Sequence, residues 1–163
     1  LRLRYPASGV IGNINQRIKD YKEVNVEAAR RLRDELGLTG VIVEKGDAFA
    51  LAESLPADLR FDVVLASGIY ELFPQNDPVR QSLQQVADRL EPGGCLLYTN
   101  QPWHPQLELI ARLLHNREGQ PWIMRCRTQA EMDQLVAAAG LVKIAMDIDE
   151  FGVCSVSVAR KPE

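Results

Sequence analysis

The chain has 163 residues, of which 46% are hydrophobic and 25% charged, and this is enough apolar material for the core of one globular domain. Its formal net charge of −3 argues against a general attraction to nucleic acid or to an anionic membrane surface. No stretch is long and apolar enough to span a membrane, and the three cysteines have no metal-binding spacing, so we expect a cytoplasmic protein without a metal site.

Segments with strand-like patterns alternate with helical patterns along the chain. The segments that predict strands lie at residues 17–21, 41–43, 61–66, 95–99, 142–149 and 153–160. The run at residues 61–66 is almost continuously apolar, which predicts a strand covered on both faces. The last two runs flank Phe151-Gly152 and predict a β-hairpin.

Capping and breaking residues mark the predicted helices. Asn25 is expected to cap the first helix, with Ala29, Leu32 and Leu36 at helical spacing on one face and Gly37 at its end. A short helix is expected at residues 48–55, and the next begins with Asp77-Pro78 and carries a stripe of Val79, Leu83, Val86 and Leu90. Pro105 can open another helix, with Leu107, Ile110 and Leu114 facing inward. A capping box of Thr128 and Glu131 begins the last helix, which carries Met132, Leu135, Val136 and Ala139 and ends at Gly140.

This alternation predicts an α/β fold in a single domain over residues 1–163. We expect a Rossmann-like, doubly wound and mostly parallel sheet, to which the C-terminal hairpin adds an antiparallel strand. Open sheets of this kind bind ligands at the carboxyl ends of their strands. The residues at those ends are therefore the first candidates for a functional site.

Two acids follow predicted strands and are candidate ligands for a nucleoside. Asp20 can accept two hydrogen bonds from a ribose diol, and Asp47 can accept from the amine of adenine while the Ala48 N–H serves the adjacent ring nitrogen. Tyr21 can pack on the adenine. The alternatives are a surface acid at Asp20, an exposed rim aromatic at Tyr21 and a helix N-cap at Asp47.

Two loops carry the other candidate side chains. Gly68, at the end of the third predicted strand, permits a close backbone approach, and Tyr70 and Glu71 follow it. The loop from Asn100 to Pro105 is stiffened by two prolines and contains Trp103 and His104. His104 can act as a base or can cap the following helix, Glu71 can be an exposed loop acid, and Tyr70 can pack beneath its loop.

Several of these segments together resemble a class I S-adenosylmethionine-dependent methyltransferase. They are Asp20, Gly46-Asp47-Ala48, Leu90-Glu91-Pro92-Gly93-Gly94, Ala138-Ala139-Gly140-Leu141 and the final hairpin. Three further segments resemble a bacterial methyltransferase group in which such a domain is sometimes fused behind an α/β-hydrolase. These segments are residues 67–73, residues 98–108, and residues 122–125 with 129–132.

The resemblance implies S-adenosylmethionine as the cofactor and an unidentified small molecule as the methyl acceptor. It implies cofactor-binding roles for Asp20, Tyr21, Asp47, Ala48, Ser67 and Gly68, with the last two near the methionine end. Glu71 and His104 are candidates for a catalytic base or a substrate orienter, and Tyr70 and Trp103 would shape the acceptor site. An α/β-hydrolase domain is the implied partner, and the oligomeric state stays open.

The family's first motif is missing from the sequence. It is an acidic strand end that runs into a glycine-rich loop, expected about twenty residues before Asp20. Residues 1–16 contain no such element, and Gly9 and Gly12 do not form it. We therefore expect the chain to be the C-terminal part of a longer domain, without the N-terminal strand and glycine loop.

Two other functions fit parts of the sequence. A nicotinamide-dependent oxidoreductase also uses a strand-end acid such as Asp20 to bind ribose, although the terminal hairpin and the Pro92-Gly93-Gly94 turn argue against it. A methyltransferase-like module without catalytic activity, used for assembly, would fit the missing glycine loop.

Overall fold

The computed structural model describes residues 15–116 and 118–163. The chain divides into two compact units at Ala48, so that unit 1 ends there and unit 2 runs from Phe49 to Glu163. None of the helices in the described residues is long and apolar enough to cross a membrane.

Unit 1 consists of two parallel strands joined by a helix. Its elements are β1 (Gln16–Asp20), α1 (Glu23–Glu35) and β2 (Val41–Lys45). The strands pair in register from Gln16 opposite Val41 to Asp20 opposite Lys45. Val26 of α1 and Val43 of β2 are buried. The predicted strand, helix and strand are all present.

The start of α1 differs from the prediction, and its end agrees with it. The helix begins at Glu23 with Lys22 as its N-cap, so the prediction of Asn25 as the cap is wrong. Gly37 ends the helical stretch as predicted, because its φ of 62° suits glycine and lets the Leu38 N–H reach the Arg33 carbonyl. Leu32 and Leu36, which share the predicted apolar face, are 55% and 62% exposed.

Unit 2 is a four-stranded mixed sheet with helices. Its elements are α2 (Leu51–Ser54), β3 (Phe61–Ala66), a 3-10 turn (Tyr70–Leu72), α3 (Asn76–Arg89), β4 (Leu90–Asn100), α4 (Leu107–Leu113), α5 (Gln129–Ala138), β5 (Val142–Ile148) and β6 (Ser155–Arg160). The strand order is β3-β4-β6-β5. β3 and β4 are parallel, whereas β6 runs antiparallel to both β4 and β5. The α/β class and the C-terminal hairpin are confirmed.

Helices α3 and α5 supply the core of unit 2. The buried side chains that they share with the sheet are 0–5% exposed and include Val79, Leu83, Val86, Met132, Leu135, Val136, Leu96 and Ala159. Burial of each large aliphatic side chain contributes about 1.5–3 kcal/mol. The two helical stripes read from the sequence are therefore confirmed as the core.

The opposite face of this sheet carries apolar side chains that the described residues leave exposed. Val63 and Leu65 of β3 are 58% and 69% exposed, and Val156 of β6 is 47% exposed. The prediction that β3 is covered on both faces is therefore wrong for this structure. The reason is that β3 carries apolar residues on both faces, Val63 and Leu65 on one and Val64 and Ala66 on the other, whereas α3 and α5 cover only one of these faces.

Turn residues decide how the elements of unit 2 connect. A Cβ at Gly94 would lie 2.9–3.1 Å from the carbonyl oxygens of Glu91, Asp62 and Phe61, so only glycine lets β4 approach β3 here. β4 consequently begins at Leu90, earlier than the predicted residue 95. At α5, Thr128 Oγ1 accepts from the Glu131 N–H at 3.1 Å, which confirms the predicted N-cap.

Two helix predictions in unit 2 need correction. α3 begins at Asn76 with Gln75 as its N-cap, so Asp77-Pro78 lies inside the first turn and does not cap it. α4 begins at Leu107, and none of its residues is fully buried. Leu107 and Ile110 are only partly buried and Leu114 is 48% exposed, so the predicted inward face of this helix is absent.

Candidate functional site

In unit 1, both predicted acids lie where strands end. Asp20 is the last residue of β1, and Asp47 follows the end of β2 by two residues. Because the strands are parallel and Asp20 pairs with Lys45, both chain segments leave the sheet at the same edge. The Gly46 N–H donates to the Asp20 carbonyl at 3.0 Å, which holds the turn before Asp47 against the end of β1.

The carboxylate of Asp20 is fixed by the start of α1. Its Oδ1 accepts from the Lys22 N–H at 2.7 Å and from Asn25 Nδ2 at 3.1 Å, and its Oδ2 accepts from the same Nδ2 at 3.1 Å. A carboxylate has about four acceptor positions, so Oδ2 retains capacity for a hydroxyl donor. The arrangement is therefore compatible with both predicted roles, that of a turn-forming surface acid and that of a ribose ligand.

The neighbours of these acids face solvent to different degrees. Tyr21 is 53% exposed, Asp47 is exposed and Ala48 is partly buried. Lys19 lies under the Gly46 turn, where a Cβ would come within 3.0 Å of its side chain. Lys19 is paired with Glu44, at 3.4 Å between Nζ and Oε2, so its charge is partly balanced within the sheet.

In unit 2, the ends of β3 and β4 are joined by a side-chain hydrogen bond. The Gly68 N–H donates to Thr99 Oγ1 at 2.8 Å. Gly68 has a φ of 67°, which favours glycine, and both Ser67 and Gly68 are exposed. This bond fixes the Ser67-Gly68 backbone at the carboxyl edge of the sheet.

Glu71 is the buried acid of this edge. The residue is 8% exposed, and its Oε2 has no hydrogen-bond partner among the described residues. Its Oε1 lies beside Gly68, 3.7 Å from the position that a Cβ there would occupy. Burial raises the pKa of the Glu71 carboxyl, and a hydrogen bond from its own backbone and the charge of Arg127 oppose that rise only in part.

The loop that carries Glu71 is held by Arg127, which is 1% exposed. The Arg127 guanidinium donates to the carbonyls of Tyr70, Phe73 and Gln75 at 2.7–2.9 Å, and its Nε donates to Asn76 Oδ1 at 2.8 Å. Burial lowers the pKa of Arg127, with the nearby charge of Arg125 acting in the same direction. We call the loop from Tyr70 to Asn76 the Glu71 loop.

Arg125 supports the same loop from its outer side. Its N–H donates to the Glu71 carbonyl at 2.9 Å, and its side chain donates to the Pro74 carbonyl at 2.9 Å. Its guanidinium also pairs with Glu131 at 2.5 Å. Both arginines therefore bind main-chain carbonyls of the loop, and neither donates to the Glu71 carboxyl.

Tyr70 occupies the core. It is 2% exposed and makes an edge contact with Phe49 at 6.5 Å between ring centroids. Burial raises its pKa to about 12, against a hydrogen bond with Ser82. This placement favours the packing alternative for the Tyr70 side chain.

His104 and Trp103 lie in the loop after β4. His104 Nδ1 accepts from the Gln106 N–H at 3.1 Å, so its ring holds the turn that leads into α4, although Gln106 is the N-cap and no side chain caps this helix. This bond requires that Nδ1 is unprotonated, so a neutral His104 carries its proton on Nε2. Trp103 is 55% exposed.

The sequence did not single out Arg127, Asn76 or Thr99, although they organise this edge. Their partners are 31 to 57 residues away along the chain, so no local spacing reveals them. An arginine directly before the helix-capping Thr128 was the only nearby signal. No group of three potential metal ligands was found in the described parts of the chain, and Cys95, Cys126 and Cys154 are not disulfide-bonded.

A family model described as "Putative methyltransferase" matches residues 9–161. The chain belongs to this methyltransferase family. A relative in Escherichia coli (strain K12), named "Uncharacterized protein YnbC", is 46% identical over 144 residues, which cover 87% of this chain and 25% of that protein. The chain thus spans about a quarter of the length of this curated relative.

Solved methyltransferase structures share the fold of this family member. An S-adenosylmethionine-dependent methyltransferase from Clostridium acetobutylicum ATCC 824 matches with a TM-score of 0.69 at 11% identity, over 92% of this chain and 76% of its own. Magnesium protoporphyrin IX methyltransferase from Synechocystis PCC 6803, solved with bound SAH, matches with a TM-score of 0.69 at 13% identity, over 89% and 63% of the two chains. The predicted Rossmann-like methyltransferase fold is confirmed.

Proposed function

We propose that this chain is part of an S-adenosylmethionine-dependent methyltransferase whose acceptor is a small molecule. The observation that carries the proposal is the in-register parallel pairing of β1 and β2, which brings Asp20 and Asp47 to one edge of unit 1 in a methyltransferase family member. Two carboxylates supply only acceptors, and the ribose hydroxyls and adenine amine of the cofactor supply only donors to them.

The residues of unit 1 are assigned to the nucleoside. Asp20 Oδ2 accepts from the ribose, Asp47 accepts from the adenine amine, and the Ala48 backbone lies beside the ring. Tyr21, which is half exposed, packs on the adenine. The hydrogen bonds from Lys22 and Asn25 support this role, because they orient the Asp20 carboxylate before the ligand arrives.

The residues of unit 2 are assigned to the methionine end and to the acceptor. The exposed Ser67-Gly68 backbone approaches the methionine end, and the cofactor supplies an activated methyl group when bound. Glu71 binds or deprotonates the acceptor, His104 orients it through Nε2, and Trp103 covers its apolar part. Tyr70 acts on this site only by holding the Glu71 loop.

We propose a cytoplasmic protein in which this domain is joined to further sequence, for which an α/β-hydrolase domain is the partner that the sequence resemblance favours. The length of the curated relative supports the presence of further sequence in that protein.

Binding measurements separate this function from its main rival. We expect S-adenosylmethionine and S-adenosylhomocysteine to bind the natural full-length protein with a measurable heat, and the fluorescence of the reduced nicotinamide cofactor to be unchanged when the protein is added. Binding of the nicotinamide cofactor with no binding of S-adenosylmethionine would support an oxidoreductase. Binding of neither would support an assembly module.

A further inference from the structure

Glu71 presents a buried carboxylate oxygen that the described residues leave unsatisfied. The residue is 8% exposed, and its Oε2 has no partner. A buried acceptor without a donor costs about 1–3 kcal/mol, and more when it is charged. Such an atom in a native structure needs an explanation, and a bound molecule that donates a hydrogen bond to this carboxyl is one.

The neighbouring cations do not provide that donor. Arg127 donates from its Nε to Asn76 Oδ1 and from its two terminal nitrogens to three main-chain carbonyls of the Glu71 loop. The Arg125 guanidinium donates to the Pro74 carbonyl and to Glu131. The groups that interact electrostatically with the Glu71 carboxyl are Arg127 and the Cys126 thiol, whose own pKa is raised by burial and then by the Glu71 charge.

The position of the carboxyl suits an acceptor molecule. Oε1 lies beside Gly68, which has no side chain to cover the carboxyl and is itself exposed. Gly68 is fixed by its bond to Thr99 at the carboxyl edge of the sheet, where ligands bind in open α/β sheets.

We infer that the Glu71 carboxylate, reached beside Gly68, binds a methyl acceptor that carries a proton on its nucleophilic atom, an amine or a hydroxyl. This inference rests on the proposed methyltransferase function. In the transfer, a bond forms between the acceptor nitrogen or oxygen and the methyl carbon, the carbon–sulfur bond of the cofactor breaks, and the acceptor proton passes to the Glu71 carboxylate and then to solvent.

Two physical consequences follow for the choice of acceptor. Because burial raises the pKa of Glu71, its carboxylate is a more effective proton acceptor than an exposed one. A site built around a buried acceptor atom discriminates against molecules that lack a good donor, because that atom is then left unpaired. A thiol, whose S–H is a weak donor, should therefore bind poorly.

The test uses small probes on the natural full-length protein saturated with S-adenosylhomocysteine. Methylamine, methanol and methanethiol are titrated while the carboxyl carbon of Glu71 is followed by NMR. We expect methylamine, methanol or both to shift this signal saturably, and methanethiol to leave it unchanged. Glu71→Gln should weaken the binding of the effective probe about ten- to a hundredfold, whereas Glu53→Gln, at an exposed glutamate, should have no effect.

The outcomes distinguish this inference from the proposed function. Failure of S-adenosylhomocysteine to bind would reject the proposed function itself. Binding of S-adenosylhomocysteine with no saturable response to methylamine or methanol, or an equal response to all three probes, would overturn the inference alone. So would a Glu71→Gln variant that binds the effective probe as tightly as the unaltered protein. Thermal unfolding of this variant, followed by circular dichroism, verifies that it is folded.

Discussion

At the scale of single residues, Glu71 combines a negative charge with burial at the end of β3. Burial raises its pKa above the ordinary value of 4.5, against the smaller opposing effects of its own backbone N–H and of Arg127. The folded protein therefore keeps this proton at a pH at which the unfolded chain has already lost it. The ionised carboxylate consequently lowers stability above the ordinary pKa.

Glu71→Gln should show this cost directly. Because the amide cannot ionise, we expect the free energy of unfolding of the variant to rise relative to the unaltered protein as the pH increases through the raised pKa, and then to level off. A difference of one pH unit between the pKa of Glu71 in the folded and in the unfolded protein corresponds to about 1.4 kcal/mol in the free energy of unfolding. Urea denaturation between about pH 4 and pH 8 measures the difference. A difference that stays constant or shrinks with pH would contradict the raised pKa, and Glu53→Gln is the control.

The sequence identifies the acids of this protein more readily than their surroundings. Asp20, Asp47 and Glu71 can be selected because each lies at or after the end of a predicted strand, and strand ends can be predicted from a sequence. The bonds from Lys22 and Asn25 to Asp20, and the burial of Glu71, depend on backbone geometry that the apolar pattern does not specify. The interpretation of Glu71 as an exposed loop acid is accordingly disfavoured.

At the scale of structural elements, the Glu71 loop depends on one guanidinium. Arg127 joins the loop to the segment before α5 through four acceptors, three of which are main-chain carbonyls. The planar fork of arginine can reach several acceptors at once, whereas lysine offers a single point charge. Arg127 therefore positions Glu71 without contact with the acceptor.

Arg127→Lys should loosen this loop while leaving the rest of unit 2 folded. We expect a loss of about 1–3 kcal/mol in the free energy of unfolding, because some of the buried carbonyls lose their donor. Hydrogen exchange of the Phe73 and Arg125 amides, which bond to Tyr70 and Glu71 carbonyls, should become faster. Arg112→Lys, on the exposed face of α4, is the matched control and should change stability by less than about 0.5 kcal/mol. Unchanged exchange and stability in Arg127→Lys would contradict the positioning role.

Elements with a strong local pattern could be predicted, and those whose partners lie elsewhere could not. α3 and α5 carry regular apolar stripes and cap signals, and their buried residues match the prediction. α4 has a similar stripe, but no layer of described residues packs on it, so Leu107, Ile110 and Leu114 are not buried. Periodicity identifies an apolar face without specifying whether another element covers it.

At the scale of the whole molecule, the sheet of unit 2 has one face covered by helices and one apolar face that the described residues leave exposed. Leu96 and Leu65 lie on paired strands but on opposite faces, at 0% and 69% exposure. Both faces of β3 carry apolar residues, with Val64 and Ala66 on the covered face, so the sequence alone could not show this asymmetry.

Substitution of these two leucines should reveal the asymmetry. For this chain we expect Leu96→Ala to cost about 2–5 kcal/mol in the free energy of unfolding, because it opens a cavity in the core. Leu65→Ala should cost less than about 1 kcal/mol, because little apolar area is lost from the interior. Chemical denaturation of both variants measures the two costs. Equal costs would show that β3 is covered on both faces.

The central claim is that the two acids at the edge of unit 1 bind the nucleoside of S-adenosylmethionine. Isothermal titration of the natural full-length protein tests it with three variants. Asp20→Asn keeps an acceptor for the Lys22 N–H but removes the charge, and Asp47→Ala removes the second carboxylate. Asn25→Ala removes the side-chain donor to Asp20 and leaves the Lys22 N–H in place. We predict that each aspartate variant binds about ten- to a hundredfold more weakly, with affinity in Asn25→Ala changed less than about threefold. Undiminished affinity in both aspartate variants would contradict the account.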